Sequence, residues 1–263
     1  MSVLRIYVEG VGLWSPQLAD FAALQSLLGG ATPMPPPGRP DAATLPPNER
    51  RRAPESVLLA IEVAGQAVAM SGRDAAALAC VFASSHGDQP ITDYMCATLA
   101  QAPAELSPIR FHNSVHNAPV GYWTIATGCH APSTAVAAQH YSFGAGLLEA
   151  ASQVLAEQRA VLLVCVDTAG SGPLGEATGC RQPFACALVL APERGSTTLA
   201  RLDLQLTSAC PESALEEPLA GWRDGNPSAA SLPLLAGLAR GREGRCQLAA
   251  AATLGLQIDM DHV

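Results

Sequence analysis

The spacing of apolar residues along this chain switches repeatedly between the period of a strand and that of a helix. Residues 3–8 read as a β-strand running into Gly10 and Gly12, and residues 18–28 as a helix. Between 29 and 48 stand Pro33, Pro35, Pro36, Pro37, Pro40, Pro46 and Pro47, too many for a helix or a central strand, so an extended surface loop is expected. Pro54 suits a first helical turn, and Val57, Leu58, Ile61, Ala64 and Val68 then place one apolar face on a helix ending near Met70. The apolar run 75–84 leads into Ser85, His86 and Gly87, as a buried strand opening into a loop does, and 91–101 fits a helix.

The alternation continues downstream. Residues 132–138 are compatible with a strand, 143–156 set Leu147, Leu148, Ala151, Val154 and Leu155 on one helical face, and 160–166 are wholly apolar. Strand, helix and strand in that order predict a crossover unit of a buried sheet. Strands over 184–190 and 199–206 flank the turn residues 192–196, and a helix over 229–239 and a strand over 247–258 follow. The pattern is that of an α/β architecture with layered sheets. No flexible linker divides it, so residues 1–198 and 199–263 read as two halves of one globular unit.

Composition works by exclusion. With 49% hydrophobic and 14% charged residues, the 263-residue chain can bury one large core. Its net charge of −8 and scattered arginines, with local runs only at Arg50–Arg52 and at Arg240, Arg242 and Arg245, argue against a nucleic acid partner. All 15 basic residues are arginine. Without lysine there is no Schiff base, no pyridoxal phosphate attachment and no phosphate-binding loop. Cysteines at 80, 96, 129, 165, 180, 186, 210 and 246 form no CxxC pair and no zinc spacing, so neither a metal nor a cofactor is expected. The N-terminal residues show no secretory signal and no apolar run reaches the ~20 residues that span a bilayer, so a cytoplasmic protein with reduced thiols is expected.

One stretch narrows the reading sharply. Residues 117–146, NAPVGYWTIATGCHAPSTAVAAQHYSFGAG, resemble the active-site approach of the β-ketoacyl synthases of the thiolase superfamily, with Asn117, Gly121, Thr124, Ile125, Gly128, Pro132 and Ser133 in register. VEGVGLWSP (8–16) resembles the opening strand and turn of that family, ERRRAPESVLLAIEVAGQAVAMSG (49–72) its arginine-containing turn and long helix, and ACVFASSHGD (79–88) its second core strand. The resemblance implies a thiolase-like layered αβαβα fold.

The resemblance also shows what is missing. In active members the strand runs into Ala-Cys-Ser or Ala-Cys-Thr, where a helix terminus and backbone amides activate the thiol. Here the register puts His140 at the cysteine, or, with a one-residue shift, Gln139, as in many chain-length factors of type II polyketide systems. The two histidines that the family carries in its C-terminal half are also absent, since no His stands between His140 and His262. That half is shortened, with residues 226–260 resembling only its final helix, turn and glycine-containing strand. The chain thus resembles the reduced chain-length factors found with aryl polyene ketosynthases.

What the resemblance implies is a subunit without chemistry of its own. It would form a heterodimer with an active β-ketoacyl synthase and shape its acyl tunnel in polyene, polyketide or fatty-acid-type synthesis. The acyl chain, on acyl carrier protein, would be bound mainly by the partner. The family's dimer pairs the strand before the nucleophile across its axis, which makes Ser133, Thr134, Ala135, Val136, Ala137 and Ala138 the candidate interface. Tyr94, Met95 and Phe111 are candidate tunnel-shaping residues, with ordinary core packing as the competing reading. Cys129, beside only His130, reads as structural, and His112 and His116 lack a third metal ligand. Ser133 lacks a GxSxG elbow, and Asp167 ends its strand as a buried acid or a loop starter would. A degenerate condensing enzyme with residual decarboxylase or thioesterase activity, and a self-associating scaffold, are the alternatives.

Overall fold

The computed structural model describes residues 3–36, 38–209 and 211–263; Pro37 of the proline-rich loop and Cys210 lie outside them, as do the first two residues. In chain order the elements are β1 (Leu4–Trp14), α1 (Phe21–Leu28), α2 (Pro47–Arg52), α3 (Glu55–Ser71), β2 (Ala79–Ala83), α4 (Gln89–Gln101), α5 (Pro108–Asn113), α6 (Ala118–Thr127), β3 (Ser133–Val136), α7 (Ser142–Glu157) and β4 (Val161–Asp167). There follow α8 (Gly172–Thr178), β5 (Phe184–Ala191), β6 (Ala200–Ser208), α9 (Leu219–Arg223), α10 (Leu232–Arg240), β7 (Gly244–Ala251) and β8 (Leu254–His262). Short 3-10 turns at Gln139–Tyr141 and Pro227–Ser231 precede α7 and α10.

The strands form one mixed sheet in the order β3-β2-β4-β5-β1-β6-β8-β7. Strand β1 holds its two halves together, because Leu4–Val8 pairs with β6 while Tyr7–Trp14 pairs with β5. A bulge between Val8 and Gly10 reverses the side-chain phase. Ile6 and Val8 before it, and Val11 and Leu13 after it, therefore all enter the same core. The opposite face receives Gly10 and Gly12, which lie inside the strand rather than at its end. A Cβ on either would stand 2.0 Å from a backbone oxygen of α3, that of Ala67 or Val63. Glycine is required there because α3 lies directly on the strand.

Four layers result. Helices α3 and α6 cover one face of the β3-β2-β4-β5-β1 half, over a core of Val57, Ile61, Phe82, Trp123, Leu162 and Val189. The other face meets α7, α1 and α10, which the β6-β8-β7 half closes from beyond with Leu202, Leu204, Leu248, Leu256 and Ile258. The far face of that second half is polar: Arg201, Asp203, Gln205, Gln247, Gln257 and Asp259 alternate with the buried residues. This is the layered fold expected, with the truncation falling on the last helical layer.

Several boundaries differ from the sequence pattern. The expected strand 247–258 is a hairpin, β7 and β8, turning at Ala252 and Thr253, which carry none of the Asn or Gly that usually mark a two-residue turn. Residues 75–77 are a 3-10 turn before β2, and the expected loop gives its last two residues to α2. Helices α5 and α8, of six and seven residues, go beyond the sequence pattern; each opens on a Ser-Pro or Ser-Gly-Pro that reads equally well as a loop. Helix α7 is not buried on one face alone. Its first turn lies between the two half-sheets, where a Cβ on Gly144 would stand 2.1 Å from the Ala249 carbonyl oxygen and one on Gly146 3.0 Å from the Ala83 Cβ. Two residues are about 200° apart on a helix, so the two glycines admit the two sheets on opposite sides.

Gly144→Ala is expected to destabilise the fold by about 3 kcal/mol, since backbone and not a flexible side chain blocks the new methyl. Chemical denaturation beside the half-buried control Gly121→Ala, whose new methyl meets nothing within 4 Å, measures the difference.

Candidate functional site

The site lies at the C-terminal ends of β2, β3 and β4, where α7 begins. Its central group is Asp167, the last residue of β4 and fully buried. Oδ1 accepts from Ser84 Oγ, Ser85 N and His86 N, each at 2.9 Å, and Oδ2 accepts from Ser228 Oγ at 2.6 Å. The Asn226 amide adds a bond to the Asp167 carbonyl oxygen at 2.9 Å. Desolvation raises the Asp167 pKa, and the donors from Ser228, His86 and Ser84 oppose that rise. Of the two sequence readings, the buried acid is the one observed. Asn226 and Ser228, which join the C-terminal segment to it, carried no sequence signal.

The turn between β3 and α7 lies beside this group. Gln139 has φ +52°, the left-handed region that a residue with a side chain occupies only under constraint. Two hydroxyls hold its carbonyl oxygen, Ser85 Oγ at 2.5 Å and Ser142 Oγ at 2.7 Å. The side chains of Gln139 and His140 are both exposed. His140 meets the half-buried His86 edge to face, ring centroids 6.4 Å apart. Burial lowers the His86 pKa; Asp167 opposes this, and His140 and His116 add to the lowering.

No cysteine stands within this turn, residues 138–142. Cys80, Cys186 and Cys246 are buried, with thiols pushed up to about 12, and burial pushes Cys180 up to about 11. Cys165, wholly buried, is raised well above its ordinary value by the same desolvation. A raised thiol pKa is the reverse of what a nucleophile needs. Cys129 is buried and donates to the Leu78 carbonyl oxygen at 3.2 Å, a structural role. His112 lies in α5 and His116 beyond its end, so the two do not share a helical face. Among the described residues no cluster of three metal-ligating side chains occurs. No helix among them is long and apolar enough to cross a membrane.

Strand β3 is an edge. Parallel pairing to β2 uses the carbonyls of Pro132 and Val136, so by the two-residue period the backbone groups of Ser133, Ala135 and Ala137 face outward. The strand ends at Val136, with Ala137 and Ala138 leading into the turn. The other edge, β7, is covered. Ser213 N donates to the Gln247 carbonyl oxygen, Ser213 Oγ accepts from Gln247 N, and Glu212 accepts from Ala249 N. The segment from α4 to α6 presents an apolar surface, since Leu99, Ile109, Phe111, Val115 and Ile125 make up half of the exposed large hydrophobic side chains among the described residues. Val115, Tyr122 and Ile125 line a groove of about 460 Å³ with Leu45 and Pro46 of the proline-rich loop. Of the tunnel candidates, Phe111 is 57% exposed and Met95 half-buried. Tyr94 is held under the Arg110 guanidinium, 3.9 Å from its ring, and accepts from Ser107 N at 3.2 Å. None of the three belongs to a core cluster.

Residues 29–250 match the family described as the β-ketoacyl synthase N-terminal domain. The chain belongs to that family. Among solved structures, it is similar to a ketosynthase (ApeO) in complex with its chain length factor (ApeC) from Xenorhabdus doucetiae, at 23% identity and TM-score 0.74, covering 97% of this chain and 99% of that one. It is also similar to the AntDE:AntF complex, a type II PKS acyl-carrier protein with its ketosynthase bound to the hexaketide, at 15% identity and TM-score 0.74, covering 98% and 99%. A β-ketoacyl synthase from Burkholderia phymatum STM815 matches at 14% identity and TM-score 0.60, covering 78% of this chain and 64% of that one. At these identities the likeness is one of fold. No curated protein matches the sequence.

Because the His86 pKa is lowered in the fold, the unfolded chain takes up this proton first as pH falls. The stability owed to neutral His86 is complete above the ordinary value of 6.5 and is lost as pH drops from there toward the lowered folded value. His86→Gln is expected to shrink the fall in melting temperature between about pH 7.5 and about pH 5.

Proposed function

We propose that this chain is a non-catalytic, chain-length-factor-type subunit that pairs with an active β-ketoacyl synthase and shapes its acyl tunnel. The observation that supports the reading is the bare edge of β3 running into a strained turn at Gln139 and His140, neither of which carries a thiol. The turn from β3 to α7 corresponds, on this reading, to the family's active-site approach. Backbone strain clusters at active sites, and one way to present a nucleophile is on a strained strand-to-helix turn. The left-handed backbone makes Gln139 the better of the two candidates for that position. A frame kept without its reactive atom fits a binding role.

The outward backbone of Ser133, Ala135 and Ala137 supplies register for a partner strand, and the exposed apolar side chains of α4, α5 and α6 supply contact area. Thr134 and Val136 hold β3 to β2, while Ala138 begins the turn. Phe111, exposed and beside this surface, is the strongest of the three tunnel-shaping candidates; Tyr94 and Met95 support it from α4. The acyl chain on its carrier protein belongs mainly to the partner's half of the complex. The division into a ketosynthase-like part, 1–198, and a reduced part, 199–263, and a place in the cytoplasm belong to the same reading.

Coexpression with a β-ketoacyl synthase that keeps its cysteine and histidines is expected to yield a heterodimer by native mass measurement, with condensation only in the complex. Ala135→Pro removes an outward donor without touching the β2 ladder, and is expected to weaken capture at least about tenfold while the melting temperature holds. A persistent homodimer that excludes the synthase would sink the proposal. Turnover of malonyl- or acyl-carrier protein by the chain alone, lost in Gln139→Ala, His140→Ala or Cys129→Ala, would make it a degenerate enzyme instead.

A further inference from the structure

Left-handed Gln139 is held from several directions. Its carbonyl oxygen accepts from both Ser85 Oγ and Ser142 Oγ, and these hydroxyls are themselves 3.1 Å apart. Ser142 Oγ also accepts from Ala138 N at 3.0 Å, so the residue before the strained one is fixed by the same side chain. Ser142 belongs to the buried first turn of α7 and cannot move independently of it. Ser85 belongs to a loop, and a loop hydroxyl holds a strained peptide only if the loop itself is held.

Asp167 supplies that hold. A single carboxylate oxygen takes Ser84 Oγ and the backbone N–H groups of Ser85 and His86, which fixes the loop at three consecutive residues. The other oxygen takes Ser228, and Asn226 bridges the Asp167 and Gln182 carbonyls at 2.9 and 2.8 Å. The chain of contacts thus runs from the C-terminal segment at 226–228, through Asp167 and Ser85, to the peptide that follows the exposed edge strand.

We infer that Ser85 and Asp167 are positioning residues for partner capture: they keep Gln139 left-handed, and so fix the direction in which β3 leaves the sheet edge. The inference rests on β3 being the surface that meets the synthase. Glycine adopts a left-handed conformation without a clamp. With Gly at 139 the turn keeps its shape whether or not Ser85 donates, so the effect of losing the hydroxyl depends on the residue at 139.

A double-mutant cycle tests this. Ser85→Ala is expected to weaken capture of the synthase roughly tenfold when Gln139 is present, and by far less in the Gln139→Gly background, each compared with its own parent. Equal losses in both backgrounds, or no loss in either, would overturn the inference. Amide hydrogen exchange at 138–142 in the chain alone follows the same logic: Ser85→Ala speeds it, and Gln139→Gly cancels the increase. That second readout needs no partner, so a chain that never captures the synthase sinks the interface reading while the clamp is still decided. Asp167→Asn should act like Ser85→Ala; because this buried residue is central to the fold, the Ser85 cycle decides the matter if that variant fails to fold.

Discussion

The passage of α7 between two halves of one sheet is the constraint on which the remaining structure depends. A helix with a sheet on either side needs small residues where the backbones approach, and Gly144 and Gly146 answer the two sides in turn. The second half-sheet can lie there only because β1 is long enough to pair with β5 at one end and β6 at the other, with the bulge at Val8/Gly10 keeping its apolar residues on the inner side. Once α7 is so placed, the strand before it must stop short, and the chain turns sharply at 138–141. The strained Gln139, the short β3 and the exposed sheet edge are consequences of one packing decision.

The two edges of the sheet show how that decision bears on function. At β7 the backbone is covered by Glu212 and Ser213, and Arg245 adds a charge paired with Asp259. These are ordinary ways of blocking an edge. At β3 there is no charge, no proline inside the strand and no covering segment among the described residues, only Ser, Thr, Ala and Val. One edge is protected and the other bare, which is the contrast on which the proposed pairing at β3 rests. The buried Asp167 network behind the turn gives that edge a fixed end without adding any reactive group.

Much of this was legible in the sequence because the strands and long helices obey their periods closely. The motif at 117–146 was legible too, since Gly128 ends a helix in the left-handed region and Gly144 and Gly146 admit close neighbours. What escaped was set by tertiary contact. Gly10 and Gly12 looked like a strand end, but they mark the close approach of α3 inside a strand. The hairpin at Ala252 and Thr253 lacks turn chemistry because its register is imposed by β6 and the core beneath. The left-handed backbone at Gln139, which sets it apart from His140, is likewise something residue types alone do not reveal. Asn226 and Ser228, some 60 residues beyond Asp167, reach it only through the fold.

The most direct test of the central claim is amide hydrogen exchange at Ser133, Ala135 and Ala137, with and without a synthase whose catalytic cysteine is intact. Strand pairing across β3 predicts that these three amides exchange freely in the chain alone and become strongly protected in the complex, while Thr134 and Val136, already bonded to β2, change little. A complex that forms with these amides still exchanging as in the free chain would contradict the account.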